Sequence, residues 1–411
     1  MAGKTAPALL YLCRINQDKC GHCGTCQEVI FCPSPGACIV CLACLRGCPY
    51  HARELVEDES SRKTVRIQVD GEGFEAPERI TVKRALEMVG LSFGVSPGEG
   101  DIQAPCCTGG CYTCLVLADG RPVRSCVSPV RETMAIRTDP PHGFTPVRVI
   151  HGPQPHSVGG KATPWWLKAR GRYIELAIWV AGCNLRCPQC QNLTTTYDGG
   201  NAPMSPRRAA ERVTRARHRY GVDRMAISGG EPALNRPWLV QYFSELRALN
   251  PDPDARLHLD SNGTLLSRDY IDELIDAGAT DIGIEPKGVY PETFMCITGI
   301  EDEALARRYL ETAWRATEYV VSSYKDRVFL GVGLPYNKVL IGLEEVRDFG
   351  RKLASIDPGT QLSVLDYFPT FRRSDIERPQ PGEMLTLKRV LEGAGLKAVV
   401  VQTAIGHIGP G

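Results

Sequence analysis

Tyr173-Ile-Glu-Leu-Ala-Ile-Trp-Val180-Ala-Gly-Cys183-Asn-Leu-Arg-Cys187-Pro-Gln-Cys190 is the stretch on which the reading of this chain turns. Its first eight residues predict a strand, and the ten that follow carry three cysteines separated by three and then two residues. Downstream, candidate strands at 173–180, 225–228, 256–260, 281–284, 328–332, 361–366 and 397–401 alternate with helical stretches at 206–220, 267–277, 302–321, 343–356 and 385–394. Such strand–helix repetition predicts an α/β fold, a parallel sheet with helices outside, curved or closed as a barrel. In such folds chemistry sits at the carboxyl ends of the strands. The cysteine loop falls at one of those ends.

Upstream, the texture changes. Residues 1–58 are short, cysteine-dense and aperiodic, a piece that cannot fold on apolar burial alone and needs a staple. Residues 63–138 predict a small β-rich domain: Val65-Arg-Ile-Gln-Val69 alternates as a strand, 82–89 reads as a short helix, and Asp119-Gly120 is a hairpin turn between 115–117 and 121–123. Residues 139–164, rich in Pro, Gly and His, read as a linker. The alternating domain is expected over 165–411.

Composition narrows the functions. With 411 residues and a formal net charge of +1, the chain offers no electrostatic reason for a nucleic acid or anionic membrane partner. No apolar run approaches the ~18 residues that span a bilayer, and residues 1–10 lack a secretory pattern. A cytoplasmic location is the expectation. The 18 cysteines are the informative number: nine lie from Cys13 to Cys48, five from Cys106 to Cys126, three from Cys183 to Cys190, and Cys296 stands apart. A disulfide framework suits small secreted domains. Tight repeats with two intervening residues favour several thiolates on one metal centre.

Three cysteines on one compact loop can hold a cubane cluster. Four irons and three thiolates leave one iron without a protein ligand, and an open metal position binds substrate or cofactor where a closed one is structural. A zinc knuckle with its fourth ligand elsewhere is the alternative. On these residues the segment 172–411 resembles the radical S-adenosylmethionine (SAM) superfamily, and more closely its branch of pyruvate formate-lyase activating enzymes. Ile227-Ser-Gly229-Gly230-Glu231-Pro232 resembles the Gly-Gly-Glu element that holds the SAM amino group in that family. Glycine permits close backbone approach, and a carboxylate suits an ammonium. Asp260-Ser-Asn262-Gly263 and Glu285-Pro-Lys287, each at a strand end, stand where the branch has Asp-Thr-Asn-Gly and Asp-Leu-Lys. The resemblance implies that Asp260, Asn262, Glu285 and Lys287 lie by the SAM carboxylate with a monovalent cation between, and that Gln189 lies near the adenine. Asp366, Tyr367 and His407 are further candidates to face substrate.

Cys38-x2-Cys41-x2-Cys44-x3-Cys48-Pro49 matches the bacterial ferredoxin run, and Cys20-x2-Cys23-x2-Cys26-x5-Cys32-Pro33 is its partner with a longer last spacing. The pair resembles a two-[4Fe–4S] ferredoxin. That resemblance assigns Cys20, Cys23, Cys26 and Cys48 to one cluster and Cys32, Cys38, Cys41 and Cys44 to the other, with Cys13 spare. Cys106-x4-Cys111-x2-Cys114-x11-Cys126 matches the plant-type [2Fe–2S] pattern in a β-grasp setting, with Cys107 as a rival to Cys106. Cys296 is expected in the core. Three [4Fe–4S] clusters, one [2Fe–2S] cluster and SAM are thus the implied cofactors.

The implied function is reductive cleavage of SAM to a 5′-deoxyadenosyl radical that abstracts a hydrogen atom. A glycyl radical enzyme is the candidate protein substrate, and a ferredoxin, flavodoxin or redox complex the candidate electron donor. Two other readings are an oxidoreductase on a small molecule or peptide with auxiliary clusters as electron acceptors, and an electron-transfer subunit of a larger complex.

Overall fold

The computed structural model describes residues 11–139, 143–168 and 173–410. The chain divides into two compact units, Met1–Thr145 with Tyr197–Ala202, and Pro146–Thr196 with Pro203–Gly411. The expectation for residues 1–10 lies outside the described residues.

In the first unit, strands Tyr11–Ile15 and Arg53–Glu57 pair antiparallel around two single-turn helices, Thr25–Glu28 and Ala43–Gly47. A five-stranded sheet follows, in the order Glu72–Pro77, Thr64–Val69, Met134–Arg137, Leu115–Ala118, Arg121–Arg124. Alternation builds its core: Val65, Ile67 and Val69 are buried while Thr64, Arg66 and Gln68 between them are exposed. Thr64–Val69 and Met134–Arg137 run parallel, and the helix Val82–Met88, capped by Thr81, lies between them in sequence. This is the β-grasp pattern. Asp119 (φ 52°) and Gly120 (φ 73°) form the two-residue hairpin turn, the mirror-image geometry that matches strand twist. Tyr197–Ala202, which follows the Cys183–Cys190 loop in the chain, belongs to this unit: Arg124 Nη1 donates to Gly199 O at 2.9 Å.

The second unit is one nine-stranded sheet whose spatial order is its chain order: β1 (Ile150–His156), β2 (Glu175–Val180), β3 (Arg224–Gly229), β4 (Arg256–Ser261), β5 (Asp281–Ile284), β6 (Phe329–Tyr336), β7 (Gln361–Asp366), β8 (Val399–Thr403) and β9 (Gly406–Ile408). From β2 to β8 all neighbours are parallel; β1 and β9 close the two edges antiparallel. Helices connect the parallel strands, and sequential parallel pairing with helical crossovers curls the sheet into a partial barrel. The expected helices form as Pro206–Tyr220, Arg268–Asp276, Glu303–Tyr324, Leu343–Ile356 and Pro381–Gly393. Ser205 caps the first of them and Gly221 (φ 60°) ends it.

Helices Arg236–Leu249 and Pro291–Thr298 also lie between the parallel strands. Two expectations are corrected. The 139–164 stretch is more than a linker: it supplies β1, which its prolines and glycines disguise. Cys296 is exposed, because the buried side of its helix is Phe294, Ile297 and Thr298.

Candidate active site

Cys183 follows β2 directly, and Cys183, Cys187 and Cys190 line one cavity of about 290 Å³ at the carboxyl ends of the parallel strands. Gly229, Gly230, Asp260, Asn262, Glu285 and Lys287 line the same cavity, joined by Trp179, Ser228, Tyr367 and His407. Burial pushes the Cys187 thiol up to about 11, with Lys287 working against the rise. Burial and the neighbouring Cys187 push Cys183 higher still. Three converging, half-buried thiols suit a cluster that would take them as thiolates, with Lys287 nearby to offset the charge.

The loop is held by its neighbours. Arg186 N donates to Thr298 O at 2.7 Å and Gln189 Nε2 to Ile297 O at 2.7 Å, so the last carbonyls of helix Pro291–Thr298 receive donors from the cysteine loop. Gly229 (φ 114°) and Gly230 pack against β2: a Cβ on Gly230 would lie 2.2 Å from Gly182 O, and one on Gly229 2.4 Å from Val180 N. Only glycine lets these two loops meet.

Two expected cofactor contacts are placed differently. Glu231 is fully buried and is not among the residues that line the cavity. Its Oε1 accepts from Ser261 Oγ (2.8 Å) and Ala233 N (2.8 Å), and its Oε2 from Asn262 N (2.7 Å). Burial raises its pKa, and those three donors resist the rise. In this geometry Glu231 ties the end of β4 to the Gly-Gly loop instead of facing the cavity. Gln189 is likewise buried outside the lining, and its Oε1 has no hydrogen-bond partner. Asn262, positioned through Glu231, directs its Nδ2 to Asn184 Oδ1 at 3.1 Å and lies 4.0 Å from Cys183 Sγ. Asp366 turns from the cavity to Arg378 (2.7 Å), whereas Tyr367 Oη lies 3.2 Å from both Lys287 Nζ and Glu285 Oε1.

Barrel interiors are usually filled by branched aliphatic side chains. This one is ionic. Arg224 Nη1 meets Asp281 Oδ1 at 2.9 Å, His258 Nδ1 meets Glu175 Oε2 at 3.1 Å, and His258 Nε2 meets Asp260 Oδ1 at 3.2 Å. Lys161 Nζ follows, 3.5 Å from Asp260 Oδ1 and 3.6 Å from Glu285 Oε2, and Lys287 Nζ pairs with Glu285. Burial disfavours charge on His258, but Asp260 and Glu175 prevail and raise its pKa to about 9. Burial also opposes the Asp260 carboxylate, which Lys161 and His258 nevertheless hold well below the usual range. His407 is driven down to about 4 by burial, so its ring is neutral at pH 7.

Two residues that sequence reasoning passed over are central, and both come from the supposed linker. Arg148, fully buried, donates to Ala181 O (3.0 Å), Pro232 O (2.6 Å) and Glu231 O, joining the start of the cysteine loop to the Gly-Gly-Glu turn. Lys161 enters the barrel interior. A lone basic residue in a Pro- and Gly-rich stretch carries no periodic signal; the local alternation Val147-Arg-Val-Ile was the only sign of a strand.

In the first unit Cys106, Cys111, Cys114 and Cys126 are buried, with Cys106 and Cys111 Sγ 3.0 Å apart. Thr108 N points at Cys106 Sγ (3.4 Å), whereas Cys107 donates to Ala104 O (3.1 Å). Cys41 shares its surroundings with Cys32, Cys38 and Cys44. Cys13 Sγ lies 3.4 Å from Cys44 Sγ, and its N–H points at Cys38 Sγ (3.3 Å). Arg53 donates to Cys26 Sγ at 2.9 Å and Ala52 N to Cys48 Sγ at 3.3 Å; Cys20 is half-buried and Cys23 exposed.

Residues 178–346 match the radical SAM superfamily, and residues 62–141 match a 2Fe-2S iron-sulfur cluster binding domain. The chain is similar to the probable GTP 3′,8-cyclase of Methanococcus aeolicus, 28% identical over 46% of this chain and 56% of the relative. It is also similar to the GTP 3′,8-cyclase of Klebsiella pneumoniae, 33% identical over 31% and 37%. The chain spans about half or less of these relatives. Among solved structures, SuiB of Streptococcus suis bound to precursor peptide SuiA aligns with TM-score 0.42 at 15% identity, covering 53% of this chain and 45% of that one. The FeFe-hydrogenase maturase HydG of Carboxydothermus hydrogenoformans aligns with TM-score 0.41 at 14% identity, covering 54% and 51%. The chain therefore carries a radical SAM domain with a partial α/β barrel-like fold and, N-terminal to it, a [2Fe–2S]-type ferredoxin domain. The likeness to relatives does not single out the activating-enzyme branch. No helix among the described residues is long and apolar enough to cross a membrane.

Proposed function

We propose that this protein cleaves SAM reductively at the Cys183, Cys187 and Cys190 site and uses the resulting radical to abstract hydrogen. The observation that carries the reading is the convergence of those three thiols with Asp260, Asn262, Glu285 and Lys287 on one cavity. When bound, a [4Fe–4S] cluster supplies one electron to the sulfonium of SAM, yielding methionine and a 5′-deoxyadenosyl radical. The chain's own residues do the rest. Gly229 and Gly230 give the ligand backbone-close access, Lys287 and Tyr367 offer donors to a carboxylate, and the enclosing strands keep water from the radical.

In this proposal Cys20, Cys23, Cys26 and Cys48 hold one [4Fe–4S] cluster, and Cys32, Cys38, Cys41 and Cys44 another. Cys106, Cys111, Cys114 and Cys126 hold a [2Fe–2S] cluster, and the contrasting orientations of Cys106 and Cys107 support that choice. These centres relay electrons from a ferredoxin, flavodoxin or redox complex. The finer reading, activation of a glycyl radical enzyme, draws on the Asp260-Ser-Asn262-Gly263 and Glu285-Pro-Lys287 strand ends. The sequence likeness to GTP 3′,8-cyclases favours a nucleotide substrate instead.

Reconstituted protein incubated with SAM and dithionite is expected to release 5′-deoxyadenosine. No release from protein with its clusters intact overturns the proposal. A glycyl radical signal in a co-incubated partner supports the activase reading, and GTP consumption supports the nucleotide reading.

A further inference from the structure

The ionic interior of the barrel contains a lysine with an unusual approach. Lys161 belongs to no strand: it is carried in by Gly159-Gly160-Lys161, between β1 and β2. Two glycines make room for Asp260 and two for Lys161. A Cβ on Gly160 would lie 1.9 Å from Asp260 Oδ2, and one on Gly283 2.2 Å from Asp260 Oδ1. A Cβ on Gly331 would lie 2.3 Å from Lys161 O, and one on Gly333 2.3 Å from Lys161 Cδ. Gln361 Nε2 donates to Lys161 O (3.1 Å), fixing the backbone that delivers the side chain. The ammonium comes to rest between Asp260 and Glu285.

Charge balance says what it does there. Among the described residues, Arg224 and Arg256 both meet Asp281 and His258 lies between Glu175 and Asp260, whereas Lys161 lies between Asp260 and Glu285, with Lys287 on the other side of Glu285. Remove Lys161 and Asp260 and Glu285 lose the ammonium that bridges them, at the wall of the cavity that holds the three cysteines. A buried carboxylate short of a partner is costly, and it is relieved either by taking up a proton or by a monovalent cation in the vacated space.

We infer that Lys161 is a built-in monovalent cation: its ammonium holds Asp260 and Glu285 in place, so the SAM site needs no bound alkali metal ion. This rests on the SAM-cleavage reading above and replaces the mobile cation that the sequence resemblance implied. Lys161 acts here as a positioning residue, through the two acids.

The test compares potassium chloride with tetramethylammonium chloride at equal ionic strength, because tetramethylammonium is too large for the gap. For reconstituted wild-type protein, SAM affinity, 5′-deoxyadenosine release and melting temperature are expected to match in the two salts. In Lys161→Ala, potassium is expected to tighten SAM binding by roughly tenfold and to raise the melting temperature, with tetramethylammonium doing neither. Gly333→Ala, which crowds the Lys161 side chain, is expected to show the same dependence more weakly. A wild-type protein stimulated by potassium overturns the inference, and so does a Lys161→Ala protein that binds SAM equally well in both salts. If Lys161→Ala does not fold, the wild-type and Gly333→Ala arms still decide. The melting-temperature arm needs no SAM, so a protein that fails to cleave SAM overturns the functional reading while leaving this one measurable.

Discussion

At the scale of single residues, the sharpest departure is Glu231. Both its oxygens are already occupied by protein donors, two of them from the end of β4. Glu231→Gln places an amide N–H where at least one of these donors now points. The expected cost is about 1–3 kcal/mol of stability, read by denaturant unfolding, since buried donors lose a charged acceptor. A substitution that weakens SAM binding with no loss of stability would show that Glu231 faces the ligand after all. His258 carries a second prediction. Its pKa in the folded protein, about 9, lies above the ordinary 6.5. A raised pKa contributes stability that is complete below pH 6.5 and is lost as pH rises through 9. The linked change is about 3 kcal/mol. Unfolding free energy is therefore expected to fall across that window, and His258→Gln should flatten the slope. The strands were legible in the sequence; which of their side chains meet was not, because Glu175, Asp260 and Asp281 lie on three different strands.

Among the elements, the cysteine loop and the Gly-Gly-Glu turn were both legible because each is a contiguous motif at a strand end. Their mutual fit was not. It depends on the close packing of Gly230 against Gly182 O, and on Arg148 reaching three carbonyls from a stretch that reads as linker. Gly230→Ala is expected to push the loops apart and destabilise the site, because the obstructing atom is backbone and cannot rotate away. The check is loss of the SAM-induced change in the cluster's EPR spectrum, with the signals of the other clusters retained. Unchanged spectra would mean the contact is slack. Helix Arg236–Leu249 fits the same strand–helix alternation: its buried residues, Trp238, Leu239, Tyr242, Phe243 and Leu246, keep a helical period and Asn235 caps it.

On the scale of the whole molecule, the two units have different sources of stability. The second buries large aromatic and aliphatic side chains across a nine-stranded sheet. Among the described residues, the cysteine-dense start of the first has two short strands and two single-turn helices, so metal centres are its staple in the proposed reading. If they also serve as a relay, Cys111→Ser with Cys114→Ser should leave dithionite-driven 5′-deoxyadenosine release largely intact. Release driven by a reduced ferredoxin or flavodoxin should fall sharply. Equal losses with both reductants would place the [2Fe–2S] domain in folding, not in electron supply.

The strand–helix order of the barrel, the β-grasp hairpin and the spacing of the cysteine groups are all legible along the chain. These are local patterns: periodicity, turn chemistry and ligand spacing are written within a few residues of one another. Folding brings out the rest: Glu231 ties two strand ends together, Arg148 joins two loops, and Lys161 occupies the gap between Asp260 and Glu285. Those outcomes depend on long-range proximity and on charge compensation in a buried space, where each group's role is set by whichever partner the fold brings within reach.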